Sequence, residues 1–294
     1  MKHVVKVGPA GWSYRDWKGI VYPKDASSKF DQLAFLSKYF DVIEINSSFY
    51  RPPSEKTARS WIRRVANNDK FKFTAKLYQI FTHDRIKATA QDERDYRSGI
   101  DPLAEAGRLG AVLMQFPWSF KNTPDDRQYL DSLITRFDSY PLVVEVRHSS
   151  WNAAEVYESF EARGIGFCNI DQPQFSRSIK PSALTTSPVG YVRLHGRNYE
   201  HWFADFADDS QARAERYNYL YSLSELQPWV DRIKKIGSQS LETYVITNNH
   251  FQGKGVVNAL EIEHLLTGVK PPAPPALFDQ YPRITASATP QSMS

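Results

Sequence analysis

Short runs in which β-branched and other apolar residues alternate with polar ones recur along the whole chain. Eight of them read as strands: VVKVG from Val4, VIEIN from Val42, KFTAKL from Lys72, AVLMQF from Ala111, LVVEVR from Leu142, GFCNI from Gly166, GYVRLHG from Gly190 and TYVITNN from Thr243. Most gaps between them hold one helix and two loops, the pattern of repeated βα units on a parallel sheet. Several helix ends are marked as well. Ser54 precedes EKTARSWIRRVANN, and Thr123-Pro124 with two acids precedes DRQYLDSLITRF. Asn152 with Glu155 opens AEVYESFEAR, which Gly164 ends. Ser222 with Glu225 opens LQPWVDRIKKI, closed by Gly237, and VVNALEIEHLL stops at Gly268.

Two gaps break the pattern. QPQFSRSIKPSALTTSPV, between strands six and seven, carries three prolines and no helical period, so that helix is expected to be reduced or missing. The gap after strand seven contains a polar, aromatic insertion over 197–222. Together the pattern predicts an α/β fold: a single (β/α)8 TIM-type barrel over 1–270, followed by a Pro-rich tail over 271–294, surface-bound or disordered. A doubly wound open sheet fits less well, because no GxGxxG or Walker-type loop follows strand one.

Composition narrows the function classes. The 294 residues carry 37 Lys+Arg against 33 Asp+Glu, a net charge of +4, too weak to argue for nucleic acid by itself. One cysteine, Cys168, excludes an internal disulfide and any multi-cysteine metal site. No apolar run approaches the ~18 residues that span a bilayer, and MKHVVKVGPAGW has no signal-peptide core. The expected setting is the cytoplasm, with no membrane partner. Only the aromatic share, 14%, is unusual.

Polar residues then locate a candidate site. With inward parity taken from the polar positions, strand two offers Glu44 and Asn46, strand three Lys76, and strand four Gln115. Strand five offers Glu145 and Arg147, strand six Asn169 and Asp171, strand seven Arg193 and His195, and strand eight ends in Asn248-Asn249-His250. Every strand from two to eight thus turns polar at its carboxyl end, where barrel enzymes keep their sites. The plainer reading is a salt-bridge lattice in which Glu44, Glu145 and Asp171 neutralise Lys76, Arg147 and Arg193. His83, His148, His195 and His250 follow strands three, five, seven and eight. Trp12, Tyr14, Trp17, Phe49, Tyr50, Trp118 and Trp151 add a rim of flat side chains suited to a sugar or a base. Gly253-Lys254-Gly255 precedes the last helix, a corner that holds phosphate in many barrels.

The segments GPAGWSYRDWKGIVYP, VIEINSSFYRPP, FTAKLYQIFTHDR, LGAVLMQFP, VVEVRHSSW, YVRLHGR and ITNNHFQGKGVVNAL resemble, in order, the motifs of the YecE-like family, domain of unknown function 72. The resemblance implies a TIM-type barrel with a pocket at the strand carboxyl ends and implies no activity. The chain departs from the family pattern at GPAGW, where a GTSGW-like form is common, and at Thr247, where phenylalanine is frequent.

Three functions fit these residues. The first is an enzyme, hydrolase or isomerase with a slight lean to hydrolysis, acting on a phosphorylated or anionic sugar or nucleotide. Its catalytic set would be Glu44, Glu145, Asp171 and His195. Trp12, Tyr14, Asn46, Tyr50, Lys76, His83, Gln115, Arg147, His148, Arg193, Asn248, Asn249 and His250 would bind substrate. The second adds a single Mg2+ or Mn2+ in an endonuclease-IV-like or sugar-isomerase-like site. The three inward cations and the lack of HxH, HExxH or DxD spacing weigh against it, and no cofactor is evident. The third is a binding module that stacks single-stranded nucleic acid or a glycan on the rim without catalysis.

Overall fold

In a computed structural model, which describes residues 3–203 and 215–292, eight parallel strands form a nearly closed barrel. They are β1 (Val4–Pro9), β2 (Val42–Ile45), β3 (Lys72–Lys76), β4 (Leu109–Gln115), β5 (Leu142–Glu145), β6 (Gly166–Asp171), β7 (Val189–Leu194) and β8 (Glu242–Thr247). Each pairs with its sequence neighbour from β2 to β8, and β8 pairs with β1. The remaining seam, β1 against β2, is closed by a bridge between Ala10 and Glu44 and by the Gly11 N–H donating to the Glu44 carbonyl at 2.8 Å. Glycine is required beside it: a Cβ on Gly8 would lie 1.9 Å from the Val42 carbonyl oxygen.

Helices cover the outside: α1 (Gln32–Leu36), α2 (Ser47–Tyr50), α3 (Glu55–Arg64), α4 (Ala90–Glu105), α5 (Pro124–Arg136), α6 (Ala154–Arg163), α7 (Leu223–Gln239) and α8 (Lys254–Thr267). Ser54 and Thr123 cap α3 and α5 as expected, and Ser222 with Glu225 forms a complete capping box on α7. Gly164 and Gly268 end α6 and α8 in the left-handed conformation, at φ 66° and 73°. Two end signals act differently. Asn152 does not cap α6. It closes the turn Ser149–Trp151, Ala153 precedes the helix, and the Asn152 side chain accepts from the Tyr157 hydroxyl at 2.7 Å. Gly237 does not end α7. It lies within the helix, where a Cβ would sit 2.9 Å from the Val5 side chain.

No helix connects β6 to β7. Residues 172–188 cross as irregular chain, as the prolines predict. Asn169 holds that crossover: its side-chain oxygen accepts from Leu184 N–H at 2.8 Å and Ser182 hydroxyl at 2.7 Å, and its amide donates to the Leu184 carbonyl at 2.9 Å. The C-terminal segment lies against the barrel through residue 292. It contains β9 (Pro272–Ala273), α9 (Ala276–Gln280) and β10 (Thr289–Pro290), and it buries Leu277 and Ile284. Tyr281 donates to the Gln252 carbonyl, and Tyr39 to that of Gln291.

Strand register decides what faces inward. Lys76 pairs with Leu113 and Leu113 with Val143. Glu44 pairs with Thr74, Gln115 with Glu145, and Ile170 with Arg193. Side chains opposite one another in a parallel pair share a face. Glu44, Thr74, Lys76, Gln115, Glu145, Cys168, Tyr191 and Arg193 therefore point into the barrel.

Candidate active site

Arg193 is the centre of the mouth and is fully buried. Its guanidinium clamps Glu44 with two hydrogen bonds, Nε to Oε2 at 3.0 Å and Nη2 to Oε1 at 2.7 Å. Its third nitrogen, Nη1, donates to Glu145 Oε2 at 2.6 Å and Gln115 Oε1 at 3.3 Å. Arg147 donates through Nη2 and Nε to the other Glu145 oxygen, at 2.8 and 3.2 Å. Below this layer Tyr191 donates to Glu44, with Thr74 Oγ1 2.8 Å away. Burial alone would raise the Glu145 carboxyl, but Arg193, His195 and Arg147 outweigh it and hold the group well below the usual carboxylate range. Such a carboxylate is a weak base.

His195 sits beside Glu145, Nε2 3.2 Å from Oε1, with Asn248 Nδ2 3.0 Å from its Nδ1. Asn248 donates to Nδ1, so the ring proton is on Nε2 and is given to Glu145. Burial pushes this imidazole down to about 3, against the pull of Glu145, so it is neutral across the physiological range. Lys76 lies in the same mouth but outside the network. Its ammonium stands 4.0 Å from the centre of the Phe49 ring. Burial first and Arg193 second bring it down to about 7, with Glu44 and Glu145 pulling the other way.

Of the residues read from the sequence, the structure brings together Glu44, Lys76, Gln115, Glu145, Arg147, Arg193, His195 and Asn248. Asn46 and Tyr14 adjoin them: Asn46 donates to the Tyr14 hydroxyl at 3.2 Å, and that hydroxyl donates to the Ala10 carbonyl. His83 and Tyr50 are exposed at the edge. Other candidates belong elsewhere. Asp171 pairs in register with Leu194 and points out of the barrel, as does its neighbour in parity, Asn169. Arg197 donates to Asp171 twice, at 2.8 and 2.9 Å, and Tyr221 and Trp229 add 2.5 and 3.1 Å bonds. Four donors make it an anchor for the chain after β7. Asn249 is turned to α8, bonded to Asn258 and the Tyr219 carbonyl. Trp12 packs edge-on against Trp61, in the outer layer. His250 is stacked on Tyr14 at 4.4 Å, and His148 Nδ1 is tied to Ser150. The glycines at 253 and 255 serve close packing rather than an open anion cradle. A Cβ on Gly253 would meet Val21 at 2.6 Å, and Asp16 already accepts the Gln252 N–H at 2.6 Å.

Residues missed in the sequence include Tyr191, which shares the parity of Arg193, and Trp202, which carried no periodic signal. Trp202 is buried over the mouth, its ring 5.5 Å from the Arg147 guanidinium and 6.1 Å from His195. The insertion's start therefore covers part of the charged cluster, while residues 204–214 of the expected insertion lie outside the described residues. Among the described residues, no three His, Cys, Asp or Glu side chains converge on a metal position. Glu44 and Glu145 have their oxygens committed to arginines, so this donor set does not fit a divalent ion.

Fold and site define a (β/α)8 barrel protein with a buried cluster of charged side chains, partly covered by Trp202, at the strand carboxyl ends. The chain belongs to the DUF72 family: the model "Protein of unknown function DUF72" matches residues 6–277. It is 27% identical over 274 residues to UPF0759 protein YunF of Bacillus subtilis, covering 90% of this chain and 95% of that one. The crystal structure of a DUF72 family protein from Thermotoga maritima superposes with a TM-score of 0.77 at 34% identity, over 90% of this chain and 99% of that one. A DUF72 family protein from Enterococcus faecalis, 23% identical, shares the fold at a TM-score of 0.76 over 90% and 95% of the two chains. Among the described residues no helix is long and apolar enough to cross a membrane.

Asp171 gives a direct check on this division of roles. Asp171→Asn places an amide against the donors of Arg197, Tyr221 and Trp229 and should lower stability by about 2 kcal/mol in urea unfolding. Its response to anionic ligands should match the wild type. Unchanged stability with a lost ligand response would return Asp171 to the mouth.

Proposed function

We propose that the protein is an enzyme acting on a phosphorylated or otherwise anionic sugar or nucleotide, with the Lys76 amine, rather than a carboxylate, as its proton-transferring group. One observation carries this: Lys76 is the cation of the mouth left out of the Glu44–Arg193–Glu145–Arg147 lattice, buried and near neutrality. A group whose pKa lies near the working pH serves as both acid and base. Arg147, 14% exposed, shows part of its guanidinium to the pocket for an anion. Asn248, Gln115 and Asn46 offer amides to hydroxyls, and Trp202 offers a ring face. With both glutamates bound by arginines, proton transfer in an isomerisation suits the geometry better than hydrolysis by a carboxylate pair. No resident metal or cofactor is needed for that chemistry.

The test is thermal stability with inorganic phosphate, sugar phosphates and nucleotides, followed by NMR of the stabilising mixtures for turnover. Ligand at a hundredfold over its Kd adds about 2.7 kcal/mol. Turnover should appear with one stabilising ligand class and be lost in Lys76→Met, while Arg147→Met should lose the stabilisation. No stabilisation by any phosphorylated compound, full stabilisation of Arg147→Met, or turnover retained in Lys76→Met would overturn the proposal. A second reading, non-catalytic stacking of single-stranded nucleic acid, draws on the exposed rings of Phe203 and Tyr199, joined through Phe175. It requires oligonucleotide binding that survives Arg147→Met.

A further inference from the structure

Lys76 differs from the other charged groups of the mouth in what it touches. Glu44, Glu145, Arg147 and Arg193 are joined by hydrogen bonds of 2.6–3.2 Å. Among the described residues, Lys76 Nζ has no hydrogen-bond or ion-pair partner, and the group against it is the face of Phe49. Its side chain is buried at the inward-facing carboxyl end of β3. A lysine placed only to neutralise the glutamates would be hydrogen-bonded to one of them, as both arginines are. This one is held against an apolar surface with its nitrogen unengaged, beside two guanidinium groups, the setting that activates an amine as a nucleophile.

We propose that Lys76 captures the carbonyl carbon of an anionic aldehyde or ketone as an imine, with Arg147 holding the substrate's phosphate or carboxylate. This rests on the anionic-substrate proposal above and names its substrate class. The unprotonated amine adds its lone pair to the carbonyl carbon, giving a carbinolamine. The carbonyl oxygen then leaves as water, taking both amine protons, and a C=N bond replaces C=O. One proton from solvent gives the iminium, which acidifies the adjacent C–H as an isomerase or lyase requires. The titratable groups around the amine are Glu44 on β2, Glu145 and Arg147 at the end of β5, Arg193 on β7 and the neutral His83 after β3. The balance of their effects with burial lowers the amine to about 7, against an ordinary 10.5, so unprotonated amine is present near neutral pH.

Pyridoxal 5′-phosphate, an anionic aldehyde, tests this in the full chain, with borohydride to fix the imine and peptide mapping to locate it. At pH 7, Lys76 should be labelled at least ~10-fold faster than the exposed Lys234 and Lys235, and excess inorganic phosphate should protect it. Protection in the wild type needs no variant; Lys76→Met, checked for fold by circular dichroism, should lose the fast label. Labelling of Lys76 no faster than Lys234 and Lys235, or unaffected by phosphate, would overturn the proposal. If phosphate still stabilises the protein while Lys76 stays unlabelled, the imine fails and the anionic pocket stands. If phosphate neither stabilises nor protects, both fail.

Discussion

Replacing Arg193 by methionine is expected to lower folding stability by about 3–5 kcal/mol, the cost of leaving buried carboxylates without their cation. For a domain of this size the unfolding midpoint should fall by roughly 10 °C. Arg193 is fully buried and contacts both Glu44 and Glu145, which are also fully buried. Methionine fills much of the volume but, among the described residues, leaves the Glu44 carboxylate with the Tyr191 hydroxyl, and Glu145 with Arg147, His195 and the Cys168 thiol. The combined change Arg193→Met, Glu44→Gln, Glu145→Gln removes the orphaned charges and should recover at least half of the loss. Urea unfolding of the two variants decides it. A single variant within about 1 kcal/mol of wild type, or a triple variant no better than the single, would show that the lattice does not hold the barrel together.

The lattice explains why sequence reasoning reached the site and where it misassigned roles. Strand periodicity and carboxyl-end polarity sufficed to place Glu44, Lys76, Glu145, Arg147, Arg193 and His195 at one mouth, because alternation in a parallel barrel leaves few other places for them. The same logic failed at β6. Asn169 and Asp171 are polar because they hold an irregular crossover and the chain after β7, work that a covering helix makes unnecessary elsewhere. A polar residue on the outer face of a strand without a helix looks, in sequence, the same as one in the pocket. Helix α4 shows no clear apolar period because AQDERDYRSGIDPLAE is polar and contains Pro102, so only the spacing of β3 and β4 leaves room for it, although Thr89 and Asp92 form a full capping box. Trp202 lies in an insertion without periodicity, and only the folded chain brings it over Arg147.

Chemistry also divides along the lattice. The acids most visible in sequence, Glu44 and Glu145, are those most thoroughly hydrogen-bonded to the arginines. In the proposed reading the reactive group is instead Lys76, which the same sequence pattern marks as an anion holder or a base neutralising the acids. Its position in the register, one step past Thr74 on the inward face and beside Leu113, gives it an apolar approach and a polar outlook.

Lys76→Met should therefore stabilise the ligand-free protein, and more so at acidic than at alkaline pH. The Lys76 ammonium is held down to about 7 in the folded chain, against an ordinary 10.5. Below about pH 7 both folded and unfolded states carry the proton, and the full cost of the buried cation is present. Between that pH and the unfolded value the unfolded state binds one proton more than the folded state, so wild-type stability rises with pH across the window. Methionine removes the titration, and its advantage should be on the order of 3 kcal/mol at pH 6, shrinking toward zero above pH 10. Paired urea titrations at pH 6, 8 and 10 measure the difference directly, since the other groups titrate in both proteins. A variant less stable than wild type at every pH would show that the ammonium is a net stabilising partner of Glu44 and Glu145, which would place Lys76 inside the lattice and leave the mouth without a reactive amine. A gain confined to acidic pH, together with loss of turnover, means that folding stability is given up to keep an unpaired cation at the mouth, which is expected where function rather than packing has selected the residue.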